Sequence, residues 1–360
     1  MNPLRRFATT ALATLMLTSL AVPNAHAVTI DMVTVGNAGN GNDPATGGRY
    51  GGVAYNYQIA KYDVTIGQYT DFLNAVAATD TYSLYNTNMA TDLNIAGISR
   101  SGASGSYTYS VINHGGDSSN RPITYVSWFD SARFANWMAN GQPTGAQSST
   151  TTENGAYNLN GATGGTAPAM NATNPNTGLT PTYRIPTENE WYKAAYYSPV
   201  KGGVGSPGYY AYATQSDTAP GNTIGGGANQ ANWYTGAGYS VTQSSSFGSS
   251  NYLTDVGAFT NSASYYGTFD QSGNVYQWND LDGTAGSSRG VRGGYWDMAN
   301  AAWLSSAVGF WETPSFESPI RSIGFRLASP VAVPEPSTYA MALAGLACGG
   351  YSMWRRRKRA

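Results

Sequence analysis

Arg184-Ile185-Pro186-Thr187-Glu188-Asn189-Glu190-Trp191 is the stretch whose reading decides the fold. A proline followed by Thr-x-x-Glu is a helix start. The threonine hydroxyl can accept from the backbone N–H three residues on, and the glutamate can reach back to the threonine N–H. The helix then carries Trp191, Ala194 and Ala195 and must end before Pro199. The same signal occurs twice upstream. Thr65-Ile66-Gly67-Gln68 is a Thr-x-x-Gln box, after which Ile66, Tyr69, Phe72, Leu73 and Val76 recur at helical spacing. Ser127-Trp128-Phe129-Asp130 opens a further helix through Phe134, Trp137 and Met138, stopped by Asn140-Gly141.

The remaining regular structure is predicted to be short. Tyr55-Asn56-Tyr57-Gln58-Ile59 alternates as a strand does, and Gly324-Phe325-Arg326-Leu327 reads as a closing strand. Long Gly/Ser/Thr/Asn stretches at 141–180 and 200–251 separate the elements. Loops of that length are functional or disordered unless something orders them, here bound ions or packing around the many tyrosines. No tandem repeat argues for a solenoid or propeller.

The two ends are targeting segments. Arg5 and Arg6, an apolar run from Phe7 to Val22, and Ala25-His26-Ala27 form a secretory leader over 1–27, removed by signal peptidase, so the mature chain starts at Val28. A folded domain is expected over 28–329 and a short linker over 330–333. The sequence closes with Val333-Pro334-Glu335-Pro336-Ser337-Thr338, an apolar stretch to Trp354, and Arg355-Arg356-Arg357-Lys358-Arg359. Residues 337–354 are just long enough to span a bilayer, and the basic cluster after them belongs on the cytoplasmic side. This end, 334–360, resembles the PEP-CTERM sorting signal. The resemblance implies an exosortase-type protease as partner, cleavage near Pro334-Glu335-Pro336, transient membrane anchoring after export, and a final place in the cell envelope or outside the cell.

Composition excludes several chemistries. Between residues 28 and 333 there are 12 basic and 19 acidic residues, a net charge of −7. That surface does not attract nucleic acid by counterion release. The sole cysteine, Cys348, lies in the terminal apolar stretch, so the exported domain has no disulfide, no cysteine nucleophile and no thiolate metal site. Its only histidine is His114, in the polar loop Asn113-His114-Gly115-Gly116, where a solvated side chain is expected rather than a member of a catalytic triad.

Six landmarks in order resemble the formylglycine-generating-enzyme (sulfatase-modifying factor) family. They are Lys61-Tyr62-Asp63-Val64-Thr65, Arg121-Pro122-Ile123-Thr124-Tyr125-Val126-Ser127-Trp128, Arg184 to Trp191, Gly273-Asn274-Val275-Tyr276-Gln277-Trp278, Arg292-Gly293-Gly294-Tyr295-Trp296 and Gly324-Phe325-Arg326-Leu327. The resemblance implies one α+β domain, low in regular secondary structure and related to C-type lectins. It also implies where the chemistry would be. The family's copper-binding cysteine pair falls on Met298 and Trp303, neither of which offers the soft thiolate that copper(I) requires. Met298 is expected to fill the core. The family's iron-dependent branch needs several histidines, and His114 alone cannot supply them. Neither copper nor iron is expected, and no catalytic residue is assigned.

The family also binds structural calcium. Here the matching groups are the carbonyls of Gly273 and Val275 and the side chain of Gln277, where the family has a carboxylate. A second site maps to Asn232 and Trp233, with Asp255 and Asp270 nearby. Loss of a ligand charge weakens a calcium site. Glu188 and Glu190 are expected to serve the helix start, Asp280 and Asp282 to form a solvated turn, and Arg292 and Arg326 to be ion-pair partners. The aromatics at 295–311 crowd the segment where the family places its groove. Trp296, Asp297, Asn300, Trp303 and Trp311 are therefore the candidate ligand surface, with Trp296 expected in the core and Trp311 partly exposed. The expected function is an exported, non-catalytic module binding extracellular polysaccharide or a surface protein. The alternatives are a carboxylate-based hydrolase on the same fold, or residual oxidase activity despite the missing cysteines.

Overall fold

Each capping signal starts a helix at the position its residues dictate. In the computed structural model, which describes residues 27–317 and 322–330, Thr65 caps α1 (Ile66–Val76), Ser127 caps α3 (Trp128–Ala139) and Thr187 caps α4 (Glu188–Tyr196). All three form reciprocal capping boxes, with Gln68, Asp130 and Glu190 closing back on the cap N–H. A single turn, α2 (Asn88–Thr91), was not legible beforehand; its leading residue Thr87 makes no side-chain cap. Helix α3 is buried on every side and lies against α1 through the rings of Tyr69, Phe72, Phe134 and Trp137. Phe325 joins them edge-on to Phe134, so the end of the domain packs into its first helices.

The strands are short and shared among small sheets. Strand β1 (Met32–Val35) and β2 (Tyr57–Ala60) pair antiparallel, and β11 (Ala328–Ser329) adds to the other edge of β2. The second sheet has the order β10-β7-β8-β9, from Ile323–Phe325, Tyr276–Asn279, Arg289–Arg292 and Phe310–Glu312. Within it β10 runs parallel to β7, and the other pairs are antiparallel. Two hairpin-like pairs complete the set: β3 (Ile98–Ser101) with β4 (Thr108–Val111), and β5 (Tyr197–Ser198) with β6 (Gly208–Tyr209). The first expected strand is shifted to 57–60. The expected closing strand 324–327 is instead two strands in two sheets, with Arg326 and Leu327 as the crossing between them. Both sheets close within residues 32–329, so the segment 28–333 contains every contact described.

The long loops are ordered by side-chain amides. Asn136 on α3 donates to the carbonyls of Thr152 and Tyr157 and accepts from the Tyr157 N–H. Asn140 donates to Thr151 O and Asn154 O, and its Oδ1 accepts from Asn174 and Asn176. Backbone groups that have no ladder partner are thus satisfied by carboxamides. The bound ions considered as an ordering agent are not needed for these contacts.

Candidate functional site

The core of the domain is stitched by guanidinium–carboxylate pairs at the family landmarks. Arg184 holds both oxygens of Glu190, which also closes the α4 capping box on Thr187 and accepts from Tyr55. Burial pulls the Glu190 pKa upward, but Arg184 and the Thr187 N–H outweigh it and hold the carboxyl below its usual range. Arg292 on β8 reaches Glu188 on α4 at 2.5 Å. Arg326 pairs with Asp63 at 3.1 Å, and Arg133 with Glu153 at 2.8 Å. These residues are almost entirely removed from solvent. Glu190 has the expected capping role, Glu188 lies in the first turn of α4 but gives its carboxylate to Arg292, and Arg292 and Arg326 are ion-pair partners as expected.

One sequence expectation is corrected. Asp280 is not in a solvated turn: it is wholly buried, 2.7 Å from Arg289 Nε, and it accepts from Tyr157. The Arg289 contact is off-axis, an ion pair rather than a hydrogen bond. Burial raises the Asp280 carboxyl to about 7 against the pull of Arg289. Asp282 is exposed as expected, its Oδ1 accepting from the N–H and hydroxyl of Thr284. The difference is one of register: Asp280 adjoins the end of β7, buried throughout, and Asp282 follows the left-handed Leu281.

At the two positions expected from the resemblance to match copper ligands, the Met298 thioether accepts from the Tyr276 hydroxyl at 3.7 Å and packs on the apolar core. The Trp303 ring is 40 % exposed and lies edge-on to Phe310. No group of three or more His, Cys, Asp and Glu capable of holding a metal occurs among the described residues. His114 is half-buried, with Nε2 2.6 Å from the Ser249 carbonyl.

The expected calcium ligands fit the ion poorly. Gln277 Oε1 accepts from both Arg326 Nε and Trp191 Nε1 at 2.7 Å, and its amide donates to the Asp270 carbonyl. Both lone pairs face donors, one of them a cation, so this side chain has nothing left to offer a second cation. The Asn232 carbonyl accepts from the Asn274 N–H, and the Asn232 amide donates to Tyr252 O and Asn274 Oδ1. The Trp233 carbonyl accepts from Asn222. Gly273 has φ +89, and a Cβ there would lie 2.3 Å from the Asn232 carbonyl, so glycine permits the close approach. Of the two expected carboxylates nearby, Asp270 is half-buried, its Oδ2 accepting from the Gly257 N–H, and desolvation of its carboxyl raises it to about 6. In this structure the Gln277 side chain is engaged by protein hydrogen bonds and does not fit the role of a calcium ligand.

The aromatic segment separates into core and surface. Trp296 is buried, stacked parallel to Tyr252 at 4.8 Å, and its Nε1 donates to Ser322. Asp297 accepts from the Tyr239 hydroxyl, and burial raises its carboxyl. Asn300 caps the 3-10 turn Ala301–Leu304. Trp311, on edge strand β9, is 61 % exposed. It lines a cleft of about 470 Å³ together with Arg49, Tyr50, Glu188, Asn189 and the loop 281–289. The cleft escaped sequence reading because its walls come from four segments far apart in the chain.

A mixed domain of short strands, stitched by buried arginine pairs and lacking thiolates, is the class that fold and site define. The sulfatase-modifying factor enzyme 1-like domain matches residues 25–331, and the chain belongs to that family. The PEP-CTERM protein-sorting motif matches residues 332–358 and marks the chain for export and exosortase-type sorting at the envelope. The expected leader lies outside the described residues apart from Ala27, and the expected span 337–354 lies wholly outside them. Among the described residues no helix is long and apolar enough to cross a membrane. No curated protein matches the chain significantly. Similar solved structures include CarF, with 21 % identity, covering 84 % of this chain and 99 % of that one at a TM-score of 0.44. Treponema denticola variable protein 1 has 16 % identity, coverage of 83 % and 95 %, and a TM-score of 0.42. PvdO from Pseudomonas aeruginosa has 19 % identity, coverage of 83 % and 94 %, and a TM-score of 0.38.

Proposed function

We propose that this protein is a non-catalytic, envelope-sorted module that binds extracellular polysaccharide. The observation that carries the reading is the occupation of the family's two copper-ligand positions by a thioether engaged with Tyr276 and by an indole. One engaged thioether does not replace two thiolates. The sorting motif, which points to export and envelope sorting, supports a ligand outside the cell, and polysaccharide is the class we propose. A carboxylate-based hydrolase would need two free acids facing each other across a cleft. The acids lining the Trp311 cleft are Glu188, engaged by Arg292, and Asp282, engaged by Thr284. Glu188 is committed to its buried ion pair, which leaves Asp282 without a second free acid to face.

The test is sedimentation of the segment 28–333 with polysaccharide purified from the producing cells. Saturable co-sedimentation without release of reducing ends is expected. Absence of binding, or a steady rise in reducing ends, overturns the reading. Retention on cell surfaces stripped of polysaccharide would instead point to a surface protein as ligand.

A further inference from the structure

We infer that the Trp311 cleft is a binding site for a neutral saccharide segment, with the indole as its stacking face. This rests on the polysaccharide reading above and adds the place and the chemistry of contact. The cleft volume, about 470 Å³, falls in the range of small-ligand sites, roughly 300–1,000 Å³. Trp311 stands at its edge, 61 % exposed, with no ring stacked on it among the described residues. An indole presents a flat apolar face and one N–H, the combination suited to the C–H face of a pyranose beside its hydroxyls.

The charge of the lining selects among polar ligands. Two cations, Arg49 and Arg289, face two anions, Glu188 and Asp282. Arg289 is paired with Asp280 behind the wall, and Glu188 with Arg292. Neither sign is in excess, so the cleft attracts neither an acidic nor a basic polymer by its field. Its hydrogen-bonding groups are those that recognise hydroxyls. Asn189 spends Oδ1 on the Gly51 N–H and keeps its NH₂ without a partner among the described residues. The exposed Asp282 carboxylate, the Thr284 hydroxyl and the Ser287 hydroxyl line the same space.

The walls are preformed. Leu281 sits at φ +49, its N–H donating to Asn279 and its carbonyl accepting from the Glu188 N–H. The Ala167–Gly286 bridge holds the other end of the loop. A site held before the ligand arrives avoids the ordering cost of binding.

The experiment is calorimetric titration of segment 28–333 with neutral hexasaccharides of glucose, mannose and galactose. An acidic comparator, oligogalacturonate, is titrated alongside, and the polysaccharide sedimentation is repeated on each variant. At least one neutral probe is expected to bind, and Trp311→Ala to weaken it by about tenfold or more. Asn189→Asp, which keeps the acceptor for Gly51 and removes the donor, is expected to weaken it as well, and gives the answer should Trp311→Ala fail to fold. Val204→Ala, 99 % exposed and outside the cleft, is expected to bind like the parent. If the parent binds polysaccharide and both cleft variants bind it equally well, the site lies elsewhere while the polysaccharide reading stands. If the acidic probe binds and the neutral ones do not, the ligand class is wrong. If no saccharide binds the parent at all, site and reading fall together.

Discussion

Gln277 accepts a hydrogen bond from Arg326 at 2.7 Å, tying the middle of one family landmark to the last residues of another. The same oxygen takes Trp191 Nε1, so three landmarks meet at one carboxamide. A carboxylate at this position could bind a cation and still face the guanidinium; the neutral amide is saturated by its protein donors. Millimolar calcium is therefore expected to shift the melting temperature of segment 28–333 no more than that of Gln277→Ala. A calcium-dependent rise in the parent that the variant loses would restore the ion to this loop.

Segment 28–333 is expected to leave a sulfatase-derived cysteine peptide unconverted to formylglycine, with or without copper. Mass spectrometry of the peptide reads the outcome, and turnover above a protein-free control would remove the non-catalytic reading. Cysteines introduced together at Met298 and Trp303 need not rescue activity, because Met298 is embedded against Tyr276 and Trp303 is turned to solvent.

Trp296 and Trp311 are expected to respond oppositely to truncation. Trp296→Ala removes a ring stacked on Tyr252 and the bond to Ser322, costing about 3–5 kcal/mol in chemical denaturation. Trp311→Ala removes an exposed ring and is expected to cost less than about 1 kcal/mol. Equal losses would mean that the indole at 311 is structural.

Stability is expected to fall as pH rises towards 8. Burial raises the Asp63 carboxyl to about 8 despite Arg326, with Asp270 adding repulsion. An unfolded aspartate titrates near about 3.9, so between these values the folded state holds the extra proton and loses stability with rising pH. The slope is roughly 1.4 kcal/mol per pH unit for one proton. Asp270, raised to about 6, and Asp280, to about 7, add the same sign over the lower part of the window. Glu190, held low, acts the other way: its contribution is present above its unfolded value and is lost at acid pH. Denaturation midpoints at pH 5 and 8 should converge in Asp63→Asn relative to the parent; an unchanged difference would place the proton elsewhere.

Removing residues 334–360 is expected to move the protein from the envelope fraction to the soluble exported fraction. Fractionation of cells carrying both forms measures it. Unchanged envelope association would assign the anchoring to the folded domain.

What was legible in the sequence is what is local. A capping box needs only a residue and its third neighbour, so Thr65, Ser127 and Thr187 announce α1, α3 and α4 without knowledge of the rest. The landmark arginines could be read as ion-pair partners, but not whose. Arg292 finds Glu188 across 104 positions and Arg326 finds Asp63 across 263. Asp280 and Asp282 look alike in the chain, and only the end of β7 decides that one is buried. The cleft was illegible for the same reason, and the asparagine staples of the long loops because a carboxamide has no periodicity. Trp296 and Trp311 share a stretch of sequence but not an environment, and their neighbours told them apart: Trp296 abuts the Gly293-Gly294 turn and is buried, and Trp311 precedes a polar loop and is exposed.

Strand β2 lies between β1 and β11, the first and the last strands of the domain. The central strand of that sheet therefore lacks one neighbour until the residues around 328 are in place. A chain lacking residues 328–329 cannot complete this sheet, and closure comes only a few residues ahead of Pro334-Glu335-Pro336. The strand that seals the domain thus directly precedes the sorting motif matched at residues 332–358, so the residues that complete the fold and those that direct sorting are neighbours in the chain.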